Sequence, residues 1–455
     1  MLEEFFKAEN YGPFIQGSIQ KGKEKLTLAG KEDVHQALDT AKAPEGSHYE
    51  RSAILRKMAD LLRENADYVA RLITLEMGKT IRDAKGEVEY AASYFDWFAE
   101  EAKRIQGYTI PSTNGDKHIS VQYEPVGLVA VITPWNFPIA MAARKIGPAI
   151  AAGCPCIVRP SSDTPLSMLA IALIAKDAGL PDGALSVLPG KADSISKILL
   201  ADPRVRKLTF TGSTPVGEKL YGQCISTFKK VTMELGGHAP ALIFEDADIE
   251  RAVQEIMNAK LRNSGQTCVC ANRIFIHQSI LDLFVEALQK KLSTLKIGDP
   301  LDEKTDLTNV LHPSSEKKVK KQIADAIEKG ARCPLKGDSP YAPTILTHVT
   351  KEMEIFTEET FGPVFAIIPF ETEEEAVRLA NDTIYGLAAY VFTRDLSRAH
   401  RVCNQLEYGI IGLNDGLPTT PQAPFGGVKY SGFGREGGPK GIYEYLIEKT
   451  VSLKL

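Results

Sequence analysis

From Leu128 onward the chain alternates strand-length apolar runs with helical patterns, and this alternation constrains the fold more than any other feature. The runs are Leu128–Ile132, Cys156–Arg159, Leu185–Leu188, Leu208–Phe210 and Val231–Leu235. Helical patterns lie between most of them, as in Ile139–Ala151, Pro165–Ala178 and Val216–Cys224. Strands joined through helices form a parallel sheet with crossover connections. Such a sheet binds ligands beyond the carboxyl ends of its strands. Asn136, Arg159 and Ser213 all fall at or just past a strand end. A second α/β segment begins near Pro240, with candidate strands Ala241–Phe244, Arg273–His277, Phe365–Ile368, Ala389–Phe392 and Gly409–Leu413. Glu373–Asn381 and Leu396–Leu406 read as helices there, and neither a low-complexity linker nor an internal repeat separates the halves. A chain of 455 residues is too long for one simple core and points to two or three domains.

Upstream, Lys31–Ala43 reads as a helix and Gln16–Leu28 as a polar hairpin. Arg51–Met77 is a helical region whose stripe of Ile54, Met58, Leu61, Leu62, Val69, Leu72 and Ile73 is expected in the core. Ile81–Ile105 is a further helical stretch, and its Tyr90, Tyr94, Phe95 and Phe98 are expected to pack. Two alternating runs, His118–Val121 within Gln106–Glu124 and Thr450–Leu455, read as strands.

Composition narrows the function. The net charge of −4 leaves no basic face for nucleic acid. No apolar run reaches the ~18 residues of a membrane span; the best candidate, Phe137–Val158, is interrupted by Arg144 and Lys145. The start, MLEEFFKAEN, is acidic and lacks a signal-peptide layout. Seven cysteines, an odd number, suggest reduced thiols and a cytoplasmic protein. The pairs Cys154/Cys156 and Cys268/Cys270 lack zinc-ligand spacing, so no metal site is expected.

Cys268 lies in LRNSGQTCVCANR, between a helical pattern over Asp248–Leu261 and the strand Arg273–His277. A side chain on such a turn can face a cleft, and a thiolate is a strong nucleophile. Free cysteines are more often buried as small apolar residues, so the turn alone does not assign catalysis. Three other stretches bear on it: VTMELGGHAP with Glu234, VITPWNFP with Asn136, and EETFGPVF from Glu358 to Phe365. With GQTC, these motifs resemble the aldehyde dehydrogenase superfamily, in its order and over nearly the whole chain from about Arg51. RNSGQTCVCANR, GGHAP and PFGGVKYSGFGREGG are most similar to the succinate-semialdehyde dehydrogenase branch.

The resemblance implies a Rossmann-type cofactor domain from residues 1–105 and 125–235 and an α/β catalytic domain from 236–440. Segments 106–124 and 441–455 would form a small sheet bridging subunits of a homodimer or homotetramer. From sequence alone they could equally be edge strands. Family members begin with a longer arm, so this N-terminus reads as shortened. The implied catalytic set is Cys268 as nucleophile, Asn136 with the Cys268 backbone N–H as oxyanion donors, and Glu234 as base for thioester hydrolysis. Cys270 reads either as a buried packing residue or as the partner of a thiolate-rich Cys268 in a reversible redox bond.

No GxGxxG is present. Instead Phe210-Thr211-Gly212-Ser213-Thr214 ends a strand and opens a helix, where free N–H groups can hold a phosphate. The expected cofactor contacts are Thr133, Trp135, Arg159, Ser161, Ser162, Gly212, Ser213, Glu359 at the nicotinamide ribose, and Phe361 near the nicotinamide. Relatives usually have Lys at Arg159, and NAD-preferring ones often have Glu at Ser162. An uncharged Ser beside a guanidinium favours NADP over NAD, because a carboxylate there would repel a 2′-phosphate. Arg144 and Arg262 match arginines that bind the substrate carboxylate in the branch. Phe137, Phe425, Thr419 and Thr420 would line the same pocket, with Thr replacing the branch's usual Ser in the loop before PFGG. The expected reaction is oxidation of a semialdehyde acid, succinate semialdehyde first. The alternatives are glutarate semialdehyde, a broad aldehyde range, CoA-dependent acylation, or an inactive scaffold. Glu234 weighs against acylation, and the full catalytic set weighs against the scaffold.

Overall fold

A computed structural model describes residues 11–20, 26–310 and 312–454. The first sheet has eight strands, in the order Gly432–Phe433, Lys230–Glu234, Val205–Thr211, Leu128–Ile132, Cys156–Arg159, Leu185–Val187, Phe14–Ile15 and Ser18–Ile19. From Lys230–Glu234 to Leu185–Val187 the strands run parallel. Leu128–Ile132 is apolar and buried at every position, as a strand covered by helices on both faces must be. The helices Ala140–Ala152, Pro165–Asp177, Ala192–Ala201 and Thr214–Cys224 connect these strands.

The second sheet has seven strands, in the order Arg332–Leu335, Thr344–Thr347, Val364–Phe370, Ala271–His277, Ala239–Ile243, Ala388–Phe392 and Ile410–Leu413. Only Arg332–Leu335 runs antiparallel. Residues 432–433 come from the second half of the chain yet pair with Met233 and Glu234 at the edge of the first sheet. The alternating runs within residues 106–124 and 441–455 pair with each other, with Val121 opposite Thr450. Together with Tyr108–Pro111 they make a three-stranded sheet.

The helical region over Arg51–Met77 is two helices, His48–Glu64 and Ala66–Met77, meeting at Asn65. Ser47 and Glu50 form a capping box that starts the first one at His48, ahead of the expected Arg51. Gly78 ends the second in a left-handed conformation, φ 84°. The chain then turns through Lys79 into Ile81–Ala102, whose N-cap is Thr80. Tyr94, Phe95 and Phe98 are core residues, and Tyr90 packs against that core while also lining the central cavity. The N-terminal hairpin is shorter than Gln16–Leu28, turning at Gln16 and Gly17 between Phe14–Ile15 and Ser18–Ile19. The remainder of that expectation, 21–25, and the acidic start, 1–10, lie outside the described residues. Among the described residues no helix is long and apolar enough to cross a membrane.

Candidate active site

A cavity of about 500 Å³ collects side chains from both halves of the chain. Cys268 enters it from a turn with unusual backbone. The helix Ile249–Leu261, capped by Asp248, gives way to Asn263, Ser264 and Gly265, all at positive φ (51°, 53° and 81°). Any Cβ on Gly265 would strike the Gly362 backbone, and one on Gly237 would strike the Cys268 carbonyl. The turn is therefore clamped between two other loops. Asn263 Nδ2 donates to the Asn136 carbonyl at 3.0 Å and to the Gln266 carbonyl at 3.2 Å.

Cys268 is half-buried and lines the cavity. Burial pushes its thiol up to about 12; Arg144 pulls against this, while Glu359 and Glu234 add to it. Burial thus works against the thiolate-rich state expected from the sequence. Cys270 does not share the cavity. It is fully buried, its Sγ lies 3.7 Å from the Lys260 carbonyl, and both thiols are free. The buried position outside the cavity favours the packing reading of Cys270 over the redox pairing.

Asn136 follows the strand Leu128–Ile132 and lines the cavity. Its Nδ2 donates to the Gln266 carbonyl at 2.9 Å, which leaves one amide hydrogen free. Glu234 ends its strand and is 1 % exposed, with neither carboxylate oxygen hydrogen-bonded. It stands behind the lining rather than in it. A Cβ on Gly426 would lie 2.8 Å from Glu234 Oε1, so this glycine provides the carboxyl's seat. Burial raises its pKa well above the usual carboxylate range, helped by Glu436 and opposed by Arg144, Lys145 and Arg435.

Arg144 and Lys145 lie in the buried helix Ala140–Ala152, and both donate to Glu436. Arg144 Nη1 and Nη2 have no partner. Burial is the largest influence and disfavours the Arg144 charge, but Glu436, Tyr94, Tyr90 and Glu234 together outweigh it and keep the guanidinium charged. Its guanidinium stands 4.0 Å over the Phe425 ring. Arg262 lies 4.9 Å over Phe137 and 5.6 Å over Tyr90. Phe137, Phe425 and Thr419 line the cavity with both arginines; Thr420 does not. Glu436 was not singled out from sequence, and Tyr90 was expected only to pack. Glu436 lies inside the motif GREGG, but nothing in that motif shows that a carboxylate there meets a helix almost three hundred residues earlier.

Thr133, Trp135, Arg159, Ser161, Gly212, Ser213, Glu359 and Phe361 line the same cavity. Ser162 is exposed and outside the lining, but its Oγ accepts a 2.7 Å hydrogen bond from Arg159 Nη2. Arg159 is anchored by donating to the Gly190 carbonyl at 3.2 and 2.9 Å. Ser213, at the N-cap of Thr214–Cys224, makes no side-chain capping bond, which leaves the Thr214 and Val216 N–H groups uncapped; Pro215 between them has none. Thr133 Oγ1 and Thr211 Oγ1 are buried without partners. Glu359 accepts from the Gly237 N–H at 3.2 Å, and burial raises its carboxyl to about 7. Trp135 stacks on His312 at 4.4 Å and meets Phe361 edge-on at 5.8 Å. His312 is a neighbour that sequence reasoning missed. Among the described residues no group of three or more His, Cys, Asp or Glu could hold a metal ion.

A thiol, an amide, two arginines and an open helix start around one cavity define a two-sheet α/β protein built for covalent chemistry on a small ligand beside a phosphate-bearing cofactor. The chain belongs to the aldehyde dehydrogenase family, whose model matches residues 13–451. It is 46% identical over 445 residues to an NADP(+) succinate-semialdehyde dehydrogenase of Escherichia coli, covering 96% of this chain and 92% of that one. It is also 46% identical over 446 residues to a glutarate-semialdehyde dehydrogenase of Pseudomonas aeruginosa, again covering 96% and 92%. The crystal structure of a succinate-semialdehyde dehydrogenase from Burkholderia pseudomallei matches with a TM-score of 0.95 at 43% identity, covering 98% of each chain.

Proposed function

We propose that the protein oxidises an aldehyde bearing a carboxylate at its far end, succinate semialdehyde first and glutarate semialdehyde second, with NADP preferred to NAD. The observation that carries this reading is Arg144. It is buried and charged, with both terminal nitrogens unpaired, beside the same cavity as Cys268. An unpaired buried donor costs about 1–3 kcal/mol, and a planar carboxylate would satisfy two at once. Arg262, lying over two aromatic rings, adds a second cation. The two semialdehyde dehydrogenases at 46% identity support the same substrate class.

In this reading Cys268, once deprotonated, attacks the aldehyde carbon. The free Asn136 amide hydrogen and the Cys268 N–H hold the oxygen of the thiohemiacetal. The nicotinamide cofactor supplies the hydride acceptor. Residues that fit it are Arg159 and Ser162 toward a 2′-phosphate, Ser213 and the helix start toward the pyrophosphate, and Glu359 toward a ribose. The unpaired Thr133 and Thr211 hydroxyls support a polar ligand there. Glu234 turns from its seat at Gly426 and takes a proton from the water that hydrolyses the thioester. Burial keeps the seated carboxyl protonated, so Glu234 acts as base only after it turns out and releases that proton to solvent; the carboxylate is then a stronger base than an ordinary one.

The domain division at residue 235 is part of the same reading, with 1–105 and 125–235 holding cofactor, 236–440 carrying the nucleophile and 106–124 with 441–455 joining subunits. Tyr108, Ile110, Ile447, Val451 and Leu453 are exposed on the three-stranded sheet, which supports a homodimer or homotetramer. The odd cysteine count supports a cytoplasmic setting. A substrate panel tests the whole: succinate semialdehyde, glutarate semialdehyde and uncharged aldehydes of equal length, each with NAD and NADP, followed by absorbance of the reduced cofactor. Equal kcat/KM for charged and uncharged aldehydes would overturn the assignment.

A further inference from the structure

Lys79 is fully buried between two helices and does not line the cavity. Its Nζ donates to the backbone carbonyl of Asn136 at 2.8 Å and to Glu87 Oε2 at 2.6 Å. The other Glu87 oxygen accepts from the N–H groups of Ile139 and Ala140, at 3.0 and 3.1 Å. These residues open the helix that carries Arg144. The Lys79 ammonium also stands 3.9 Å over the Phe137 ring. One buried ion pair therefore holds the Asn136 backbone, the Phe137 ring and the start of the helix behind them.

A buried ion pair is weak evidence for stability, because desolvation consumes much of the attraction. Its directional bonds are another matter. An oxyanion donor helps only if it is already aimed where charge develops. Asn136 sits on a loop, and its side chain can be aimed only if its backbone is fixed. Lys79 fixes it from below by a charge-assisted bond, while Asn263 fixes the same carbonyl from the Cys268 turn at 3.0 Å.

We propose that the Lys79–Glu87 pair is a positioning device that holds the Asn136 amide in place for the attack by Cys268. This rests on the reading of Asn136 as oxyanion donor. Lys79 and Glu87 touch neither substrate nor cofactor; they act through the loop.

A double-mutant cycle on the acylation step separates the two claims. In Glu234→Gln protein, the single-turnover burst of reduced cofactor measures attack and hydride transfer. Propanal is the probe, so that Arg144 plays no part. Lys79→Met slows this burst by about tenfold or more, with the aldehyde concentration at half-maximal rate changed less than about threefold. In Asn136→Ala protein the same Lys79→Met change slows the burst less than about threefold, because the amide it positions is gone. Equal slowing in both backgrounds overturns the positioning role. An Asn136→Ala burst as fast as the parent's overturns the oxyanion reading instead, and the proposal with it. Glu87→Gln keeps the acceptor for Ile139 and Ala140 and covers the case in which Lys79→Met does not fold. It gives a smaller loss that again disappears in Asn136→Ala protein, and a loss that persists there overturns the proposal equally.

Discussion

Arg144 stands 4.0 Å over the ring of Phe425 while its Nε is spent on Glu436. The ring and the carboxylate together set the plane of the guanidinium and leave Nη1 and Nη2 free. Among the described residues Arg262 forms no such ion pair; it lies over the rings of Tyr90 and Phe137. The two arginines are thus held by different means beside one cavity, and substitution should separate them.

Arg144→Ala and Arg262→Ala should each lower kcat/KM for a semialdehyde acid by about ten- to hundredfold, the worth of a charged hydrogen bond of ~1.5–3 kcal/mol. An uncharged aldehyde of equal length should lose far less. Arg144→Ala should also lower Tm more than Arg262→Ala, because it leaves the buried Glu436 with Lys145 as its one remaining cationic partner. Paired kinetics and thermal melts check this, and equal losses on both substrates would make the arginines structural.

Cys268→Ala should abolish dehydrogenase activity with the fold intact by circular dichroism. Glu234→Gln should still release one burst of reduced cofactor and then stall, because hydride transfer precedes the hydrolysis that needs the base. A stopped-flow trace without a burst would remove Glu234 from the hydrolytic step and place it earlier.

NADP should be used better than NAD. The Ser162 hydroxyl already accepts from Arg159, so a carboxylate placed there by Ser162→Glu would pair with that guanidinium and repel a 2′-phosphate. The substitution should reverse the order of kcat/KM for the two cofactors. Wild-type preference for NAD at equal concentrations would show that Arg159 does not face the phosphate.

Glu359 titrates at about 7. The neutral acid is a poor acceptor for two ribose hydroxyls, and the carboxylate a good one. The raised value means that the carboxylate form is lost as pH falls through 7. Cofactor affinity should therefore strengthen between pH 6 and pH 8, by up to about tenfold for each pH unit below 7. In Glu359→Gln protein the affinity should be lower and nearly flat with pH. Fluorescence titration of the cofactor across this range gives the slope directly.

Periodicity alone located most of the parallel strands, because a buried parallel strand must be apolar along its length and a crossover helix must be amphipathic or buried. Leu128–Ile132 and Cys156–Arg159 were legible to the residue. The resemblance of the chain's motifs to the aldehyde dehydrogenase family also marked Cys268, Asn136, Arg144 and Arg262, which residue type alone would not have done. What the chain could not disclose locally was partnership across long separations. Glu436 meets Arg144 and Lys145 only because the C-terminal segment returns to the first sheet through Gly432–Phe433. Lys79 reaches Asn136 only because two helices bury it there. Cys270 and Cys268 sit two residues apart in a motif, yet the backbone at the turn sends one thiol to the core and the other to the cavity. The thiol and carboxyl pKa values follow from that burial, which is a property of packed volume around a group rather than of its neighbours in sequence.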